Sequence, residues 1–340
     1  MSHAVHKIHW IRSNGFLIGL VLAVIIAFLI PEPGSRGGSL HAETVNNFGI
    51  ALILFLQGLS LAFEKIRAGA GNWRLHLVIQ SFTFIVFPLA GLLLDATIPR
   101  IWPNEPEAIR QGILYLCVLP STVSTSVVFT AVAGGNTPGA LFNAAVSNIF
   151  GVIATPLLVQ LLMEKSGGNA PFLPLLGKIV LLTLVPFAAG MLLRKYVKVW
   201  VNTHKVWITR ISNAVILFIV YSAFCDSVTE QIWQRYGFGL TGIVFLIVAI
   251  LFAGMSFLIL GANRALSLSR EDAIASYFCS VKKTLAMGVP LAMLIFGDNA
   301  NLSLILLPVM FFHPLQLLVN GILANHWAKQ THDLELKSHA

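Results

Sequence analysis

Long apolar stretches recur along this chain, separated by short segments that carry most of the charge. A helix that crosses a bilayer needs about 20 mostly apolar residues. By that measure ten membrane-spanning helices are predicted, at 13–30, 45–63, 75–94, 110–133, 138–163, 173–193, 210–226, 239–261, 273–296 and 301–325. No connection is long and polar enough to form a separate soluble domain. The first stretch resembles a signal peptide, since Arg12 precedes an apolar run from Phe16 to Ile30. Pro31-Glu32-Pro33 makes poor cleavage chemistry after it, so it reads as a span.

Composition strengthens this picture. Of 340 residues, 56% are hydrophobic and 11% charged, with a mean hydropathy of +0.81. That is too little charge to coat a soluble domain, which excludes a soluble enzyme and a disordered chain. The net charge of +8 is not a nucleic-acid signal, because no basic patch interleaves with aromatics. Cys117, Cys225 and Cys279 lie in or beside apolar stretches without metal-ligand spacing and read as packing residues.

Lys and Arg concentrate in cytoplasmic loops of membrane proteins. With the N-terminus inside, the inner segments hold Lys7, Arg12, Lys65, Arg67, Arg74, Arg194, Lys195, Lys198, Lys205, Arg210, Arg264, Arg270, Lys329 and Lys337, fourteen in all. The outer segments hold six: Arg36, Arg100, Arg110, Lys165, Lys178 and Arg235. The bias predicts an even number of spans with both termini cytoplasmic. The expected location is a bacterial inner membrane.

The chain also repeats itself. Tyr115-Leu116-Cys117 matches Tyr277-Phe278-Cys279, Ile53-Leu54-Phe55-Leu56 matches Ile216-Leu217-Phe218-Ile219, and Thr155-Pro156-Leu157 matches His313-Pro314-Leu315. The offsets are 162, 163 and 158. Five spans is an odd number, so the halves must be inverted in the membrane. The expected fold class is therefore an all-α integral membrane protein of ten transmembrane helices. It comprises a first five-helix repeat at 13–163, a second, inverted one at 173–325, and a cytoplasmic tail at 326–340. Inverted repeats of this kind mark secondary transporters, with the site near the midplane.

Candidate chemistry concentrates in spans four, five and nine. After Pro120, span four carries Ser121, Thr122, Ser124, Thr125, Ser126 and Thr130. Proline offers no N–H and should free the carbonyl of Leu116. Hydroxyl and carbonyl oxygens suit a small hard cation. Span five adds Asn143 and Ser147, four apart on one face, and Asn148, about 100° around. The short Gly134-Gly135-Asn136 link should bring the polar faces of spans four and five together. Span nine holds Ser280, Lys282 and Lys283; mid-membrane charge is costly and functional by default. Adjacent side chains diverge by about 100°, so only one lysine faces a given site, and the repeat register favours Lys283. Pro290 is expected to kink the same helix. Gln57, Gln80 and His313 are further polar residues within spans. No carboxylate lies deep in a span, which argues against a carboxylate proton relay, and no hydrolase motif is present.

These motifs resemble the bile acid:sodium symporter superfamily, and more closely its SBF-like branch of sodium-dependent transporters. The resemblance rests on Gln80-x-Phe82-Thr83 with Phe87-Pro88, on Pro120 through Ser126, on Gly134-Gly135-Asn136, and on Phe278-Cys279-Ser280-x-x-Lys283-Thr284-Leu285-Ala286 with Gly288-Val289-Pro290. It covers residues 15–325. It implies a core domain in which spans four and nine unwind and cross, and a panel domain that moves against it. It also implies Na+ ligands at Gln80, Thr125, Ser126, Asn143, Ser147 and Asn148. Where the family has a span-nine glutamate, this chain has Ser280, Lys282 and Lys283. An ammonium there repels Na+ by about 4 kcal/mol at about 4 Å, so one lysine is expected to replace a coupling cation.

The expected function is secondary active transport of a small, anionic organic solute across the bilayer. Sodium coupling is implied by the resemblance. No cofactor, nucleic-acid partner or enzymatic activity is expected. The alternatives are a proton-coupled transporter or exchanger using an intramembrane lysine, a regulator or sensor that binds without transporting, and a passive channel.

Overall fold

A computed structural model describes every residue except 1, 61–68, 164–171, 238, 298, 300, 339 and 340. Of the residues used above, Lys65, Arg67 and Lys165 lie outside the described residues. So do the side chains of Lys7, Arg12, Ser124, Lys178 and Lys337. The described residues are mostly helical, and none of them lies in a strand. In order the helices are α1 (Ser2–Leu29), α2 (Ala42–Ser60), α3 (Trp73–Ile101), α4 (Glu107–Val118), α5 (Ser124–Val132), α6 (Thr137–Met163) and α7 (Phe172–Thr203). They continue with α8 (Lys205–Thr229), α9 (Ile232–Tyr236), α10 (Gly239–Ala265), α11 (Arg270–Ser280), α12 (Leu285–Phe296) and α13 (Leu302–Ser338).

Among the described residues, seven segments are long and apolar enough to cross a bilayer: α2, α3, α6, α8, α10, the interrupted pair α11–α12, and α13 as far as Gln330. The other three predicted segments are also helical. The first is the shorter apolar part of α1, Gly15–Leu29. The fourth is cut into α4 and α5, and the sixth lies within α7. Helix α13 runs on through the predicted tail, because the stretch after Gly321 holds no further Gly or Pro to stop it.

The most apolar span is also the least buried. Only 33% of the α10 span is buried, and it exposes Ile243, Phe245, Leu246, Ile250, Phe257 and Leu258. The α11–α12 span is 78% buried. Lipid tails accept exposed Leu and Ile, whereas main-chain and side-chain polar groups must find partners within the protein.

The chain forms two compact units. One comprises Met1–Ser60, Val185–Gly239 and Val289–Leu304. In it α1 and α2 pack on α8, where Asn46 Nδ2 donates to Ser222 Oγ at 3.2 Å. Arg194 caps the end of α2 by donating to the Leu59 carbonyl at 2.6 Å. The Arg36 N–H donates to Asp226 Oδ1 at 2.7 Å, and its guanidinium to the Gly297 carbonyl.

The other unit comprises Leu61–Leu184, Leu240–Gly288 and Ile305–Ala340. Its centre is filled by fully buried Phe87, Tyr115, Tyr277, Phe278 and Phe312. One carboxylate ties three chain segments together. Asp272, in the first turn of α11, accepts from Asn72 Nδ2 at 2.5 Å and Asn136 Nδ2 at 2.7 Å. Asn72 is the N-cap of α3, and Asn136 ends the link between α5 and α6. Gly134 turns that link at φ +74°, which only glycine reaches without strain.

Candidate functional site

Within the second unit, two helices break and their broken ends complete one another. Helix α4 stops at Val118 because Pro120 has no N–H to continue the ladder. The Leu119 N–H turns back to Leu116 O at 3.4 Å, so that carbonyl is taken up and not freed. The Ser121 N–H, which an unbroken helix would give to Cys117 O, goes to Ser147 Oγ at 3.0 Å. Carbonyls of residues 117–121 are thereby released. Helix α6 partners two of them: Thr155 Oγ1 donates to Val118 O at 2.9 Å and Asn148 Nδ2 to Ser121 O at 2.8 Å. Gly151 permits this fit, since a Cβ there would meet the Pro120 ring at 2.5 Å.

The second break runs over Val281–Thr284, ahead of Pro290, which lies inside α12. The two breaks meet directly. Ser121 Oγ donates to Cys279 O at 2.6 Å, and the Thr284 N–H to Pro120 O at 3.0 Å. From α13, Gln316 pairs with the extended main chain on both edges. Its Oε1 accepts from the Lys283 N–H at 2.9 Å, and its Nε2 donates to Lys283 O at 2.8 Å. The second Nε2 proton points to His313 Nδ1 at 3.1 Å, which assigns that nitrogen as an acceptor.

Helix α3 contributes a π-turn over Phe82–Val86. There the Phe87 N–H bonds Phe82 O. Pro88, next in line, has no N–H to give, so the Thr83 carbonyl has no partner within its own helix.

The two lysines occupy different surroundings. Lys283 Nζ donates to Leu119 O at 2.7 Å, Cys117 O at 2.9 Å and Thr83 O at 3.1 Å. It also stands 4.1 Å from the centroid of the Phe87 ring. Lys282 Nζ lies 3.9 Å over the Phe129 ring of α5. Lys282 is 0% exposed, and among the described residues its Nζ has no hydrogen-bond partner. Ser126 Oγ, one turn before Phe129 on the same helix, and Ser280 Oγ are buried in the same unpartnered condition.

The other sequence-predicted residues fall into small groups. Ser121, Ser147 and Asn148 meet at the first break. Gln80 donates through Nε2 to the Asn143 carbonyl at 3.1 Å and to its Oδ1 at 3.2 Å. Asn143 Nδ2 in turn faces Gly139 O at 2.9 Å and His76 Nδ1 at 2.8 Å. Gln80 Oε1 is buried and has no hydrogen-bond partner among the described residues. Thr122 and Thr125 are hydroxyl neighbours at 3.5 Å. Among the described residues, no cluster of three His, Cys, Asp or Glu could hold a metal ion. Sequence reasoning passed over Gln316, His76, Thr155 as a break partner, and the Asp272 tie. Gln316 carried a signal, as an amide three residues beyond His313 in an apolar span, where such groups must find partners.

The chain matches the model of the SBF-like CPA transporter family (DUF4137) over residues 14–329. It is 38% identical over 321 residues to the uncharacterized protein PA2026 of Pseudomonas aeruginosa, covering 94% of each chain. It is 36% identical over 320 residues to YfeH of Escherichia coli, which bears a symporter's name, again covering 94% of each. It is 31% identical over 315 residues to sodium/bile acid cotransporter 7 of Danio rerio, covering 92% of this chain and 93% of that one.

Proposed function

Because the chain belongs to the SBF-like CPA transporter family, it is a membrane transporter and not an enzyme, and we propose that it moves a small organic anion by secondary active transport. The observation that carries this reading is Lys282, a wholly buried ammonium with no hydrogen-bond partner, beside the meeting point of two interrupted helices. Isolated buried charge costs several kcal/mol unless something compensates it. A carboxylate or similar anion supplies the missing countercharge, with Ser126 and Ser280 as hydroxyl donors to its oxygens.

The wider architecture in this proposal is ten spans in two inverted five-helix repeats, with both termini cytoplasmic in a bacterial inner membrane. The two compact units would be its core and panel domains. The two helix breaks, at 119–123 and 281–284, support the repeat, because they fall in the register that pairs Ser121 with Lys283. Sodium is the proposed coupling ion, on the family likeness. Gln80 Oε1 and Ser126 Oγ are the candidate oxygens left without hydrogen bonds. Asn143, Ser147 and Asn148 already hold α3 and the first break in place. A proton carried on Lys282 is the second reading, favoured by lysines standing where the bile acid symporters have a carboxylate.

The test is uptake of a panel of small organic anions into proteoliposomes under an imposed Na+ or H+ gradient. Accumulation against a concentration gradient is expected, lost in Lys282→Met while the melting temperature is kept. Binding without accumulation would favour a sensor, and downhill flux alone a channel. Unchanged anion uptake by Lys282→Met would overturn the role of Lys282.

A further inference from the structure

We infer that the chain supplies its own cation to the crossing of the broken helices. The Lys283 ammonium fills a site of three main-chain carbonyls and one aromatic face, a site of the kind that otherwise takes a monovalent cation from solution.

Three separate features of the sequence build the cage. Pro88 leaves Thr83 O without a partner in the π-turn. Pro120, together with the diversion of the Ser121 N–H to Ser147, releases Cys117 O and exposes Leu119 O. All three oxygens then converge on one nitrogen at 2.7–3.1 Å. Phe87, next to the proline that opened the π-turn, presents its ring to the same nitrogen. An ammonium has three N–H donors and no acceptor, which matches three carbonyl oxygens. A neutral amine has two donors, and its lone pair would face the third oxygen. The ligand set is uncharged, as in a site for a single monovalent charge. Gln316 fixes the main chain of Lys283 from the other side, so the cation is held at both ends of its side chain.

The consequence goes beyond the proposed transport of an anion. This position needs no ion from solution, and the tethered charge clamps α3, the α4–α5 break and the α11–α12 break together. Lys282 is then the lysine left for a solute. Any sodium that couples transport must use other oxygens.

The test is chemical rescue in the purified full-length protein. Lys283→Ala leaves the cage without its cation, and Lys283→Met fills the space without charge. Both variants are expected to melt below wild type. Methylammonium chloride should raise the melting temperature of Lys283→Ala saturably and by several degrees. Tetramethylammonium, too bulky for the cage, should not do so at equal ionic strength, and neither salt should raise Lys283→Met. The inference is overturned if Lys283→Met melts at or above wild type, or if the two salts act alike on Lys283→Ala. Nitrogen-15 spectra of labelled lysine in Lys282→Met do not depend on how the Lys283 variants fold. A slowly exchanging nitrogen coupled to three protons is expected for Lys283. A nitrogen coupled to two protons, or no slowly exchanging signal, overturns the inference. Neither experiment reads transport, so a failure here is distinct from a failure of the anion reading.

Discussion

Gln316→Leu isolates what the meeting of the two breaks contributes to stability. Gln316 is 0% exposed and satisfies both the N–H and the carbonyl of Lys283, at 2.9 and 2.8 Å. Leucine keeps the bulk but leaves both main-chain groups unpaired. Each orphaned buried group costs about 1–3 kcal/mol, so the pair costs about 2–6 kcal/mol. Side-chain hydrogen bonds between membrane helices average only about 0.6 kcal/mol, because their groups find other partners when the helices separate. That discount does not apply while Lys283 stays in an extended segment, where the groups have neither a helix ladder nor water. At about 2 °C per kcal/mol for a large chain, the expected loss in melting temperature is about 4–12 °C. The assay is thermal unfolding in detergent followed by tryptophan fluorescence, for which the chain carries 7 Trp. Leu318→Ala, at a site 65% exposed on the same helix, is the control and should change little. A Gln316→Leu protein melting within about 2 °C of wild type would refute the argument that this amide completes the broken helix.

Two further substitutions probe the same unit. Gly151→Ala places a Cβ 2.5 Å from the Pro120 ring. Overpacking of this kind costs about 1–3 kcal/mol, whereas Gly254→Ala, with nothing within 4 Å, should melt as wild type or slightly above; equal melting of the two variants would contradict the close approach of α6 to the first break. Asp272→Ala removes the acceptor shared by Asn72 and Asn136. Hydrogen bonds to a charged group are worth about 1.5–3 kcal/mol each, so limited proteolysis should cut the α5–α6 link faster than in wild type, and an unchanged rate would show that this tie does not hold the segments.

Much of the local architecture was legible from the residues alone. The apolar runs located the long helices, because a bilayer demands about 20 apolar residues and internal main-chain bonding. Pro120 marked the first break, because a missing N–H acts on its own helix whatever surrounds it. The divergence of Lys282 and Lys283, expected from helical geometry, is found with one lysine on Phe129 and the other on Phe87, but both stand in the non-helical break, so the helical premise was not its cause. The second break was less legible. Pro290 was the visible helix breaker, yet the chain leaves its helix at Val281–Thr284, where no proline stands. The α11–α12 chain is open there because Pro120 O, Ser121 Oγ and Gln316 offer partners that replace the ladder. All three are distant in sequence, two in the α4–α5 break and one on α13.

The partners of the lysines belong to the same class. Sequence register favoured Lys283 as the residue facing a site, but register cannot show where carbonyls orphaned by Pro88 and Pro120 converge. Those oxygens lie on residues about 165 to 200 positions away in sequence from the ammonium they surround. The sequence by itself determined which segments are helices, where α4 must stop and which residues carry unusual polarity in an apolar setting, because those follow from local covalent geometry and from the bilayer as solvent. Only the tertiary structure decided which polar group satisfies which. Hydrogen bonding in a water-poor interior is settled by whichever donors and acceptors the packing of distant helices brings within about 3 Å.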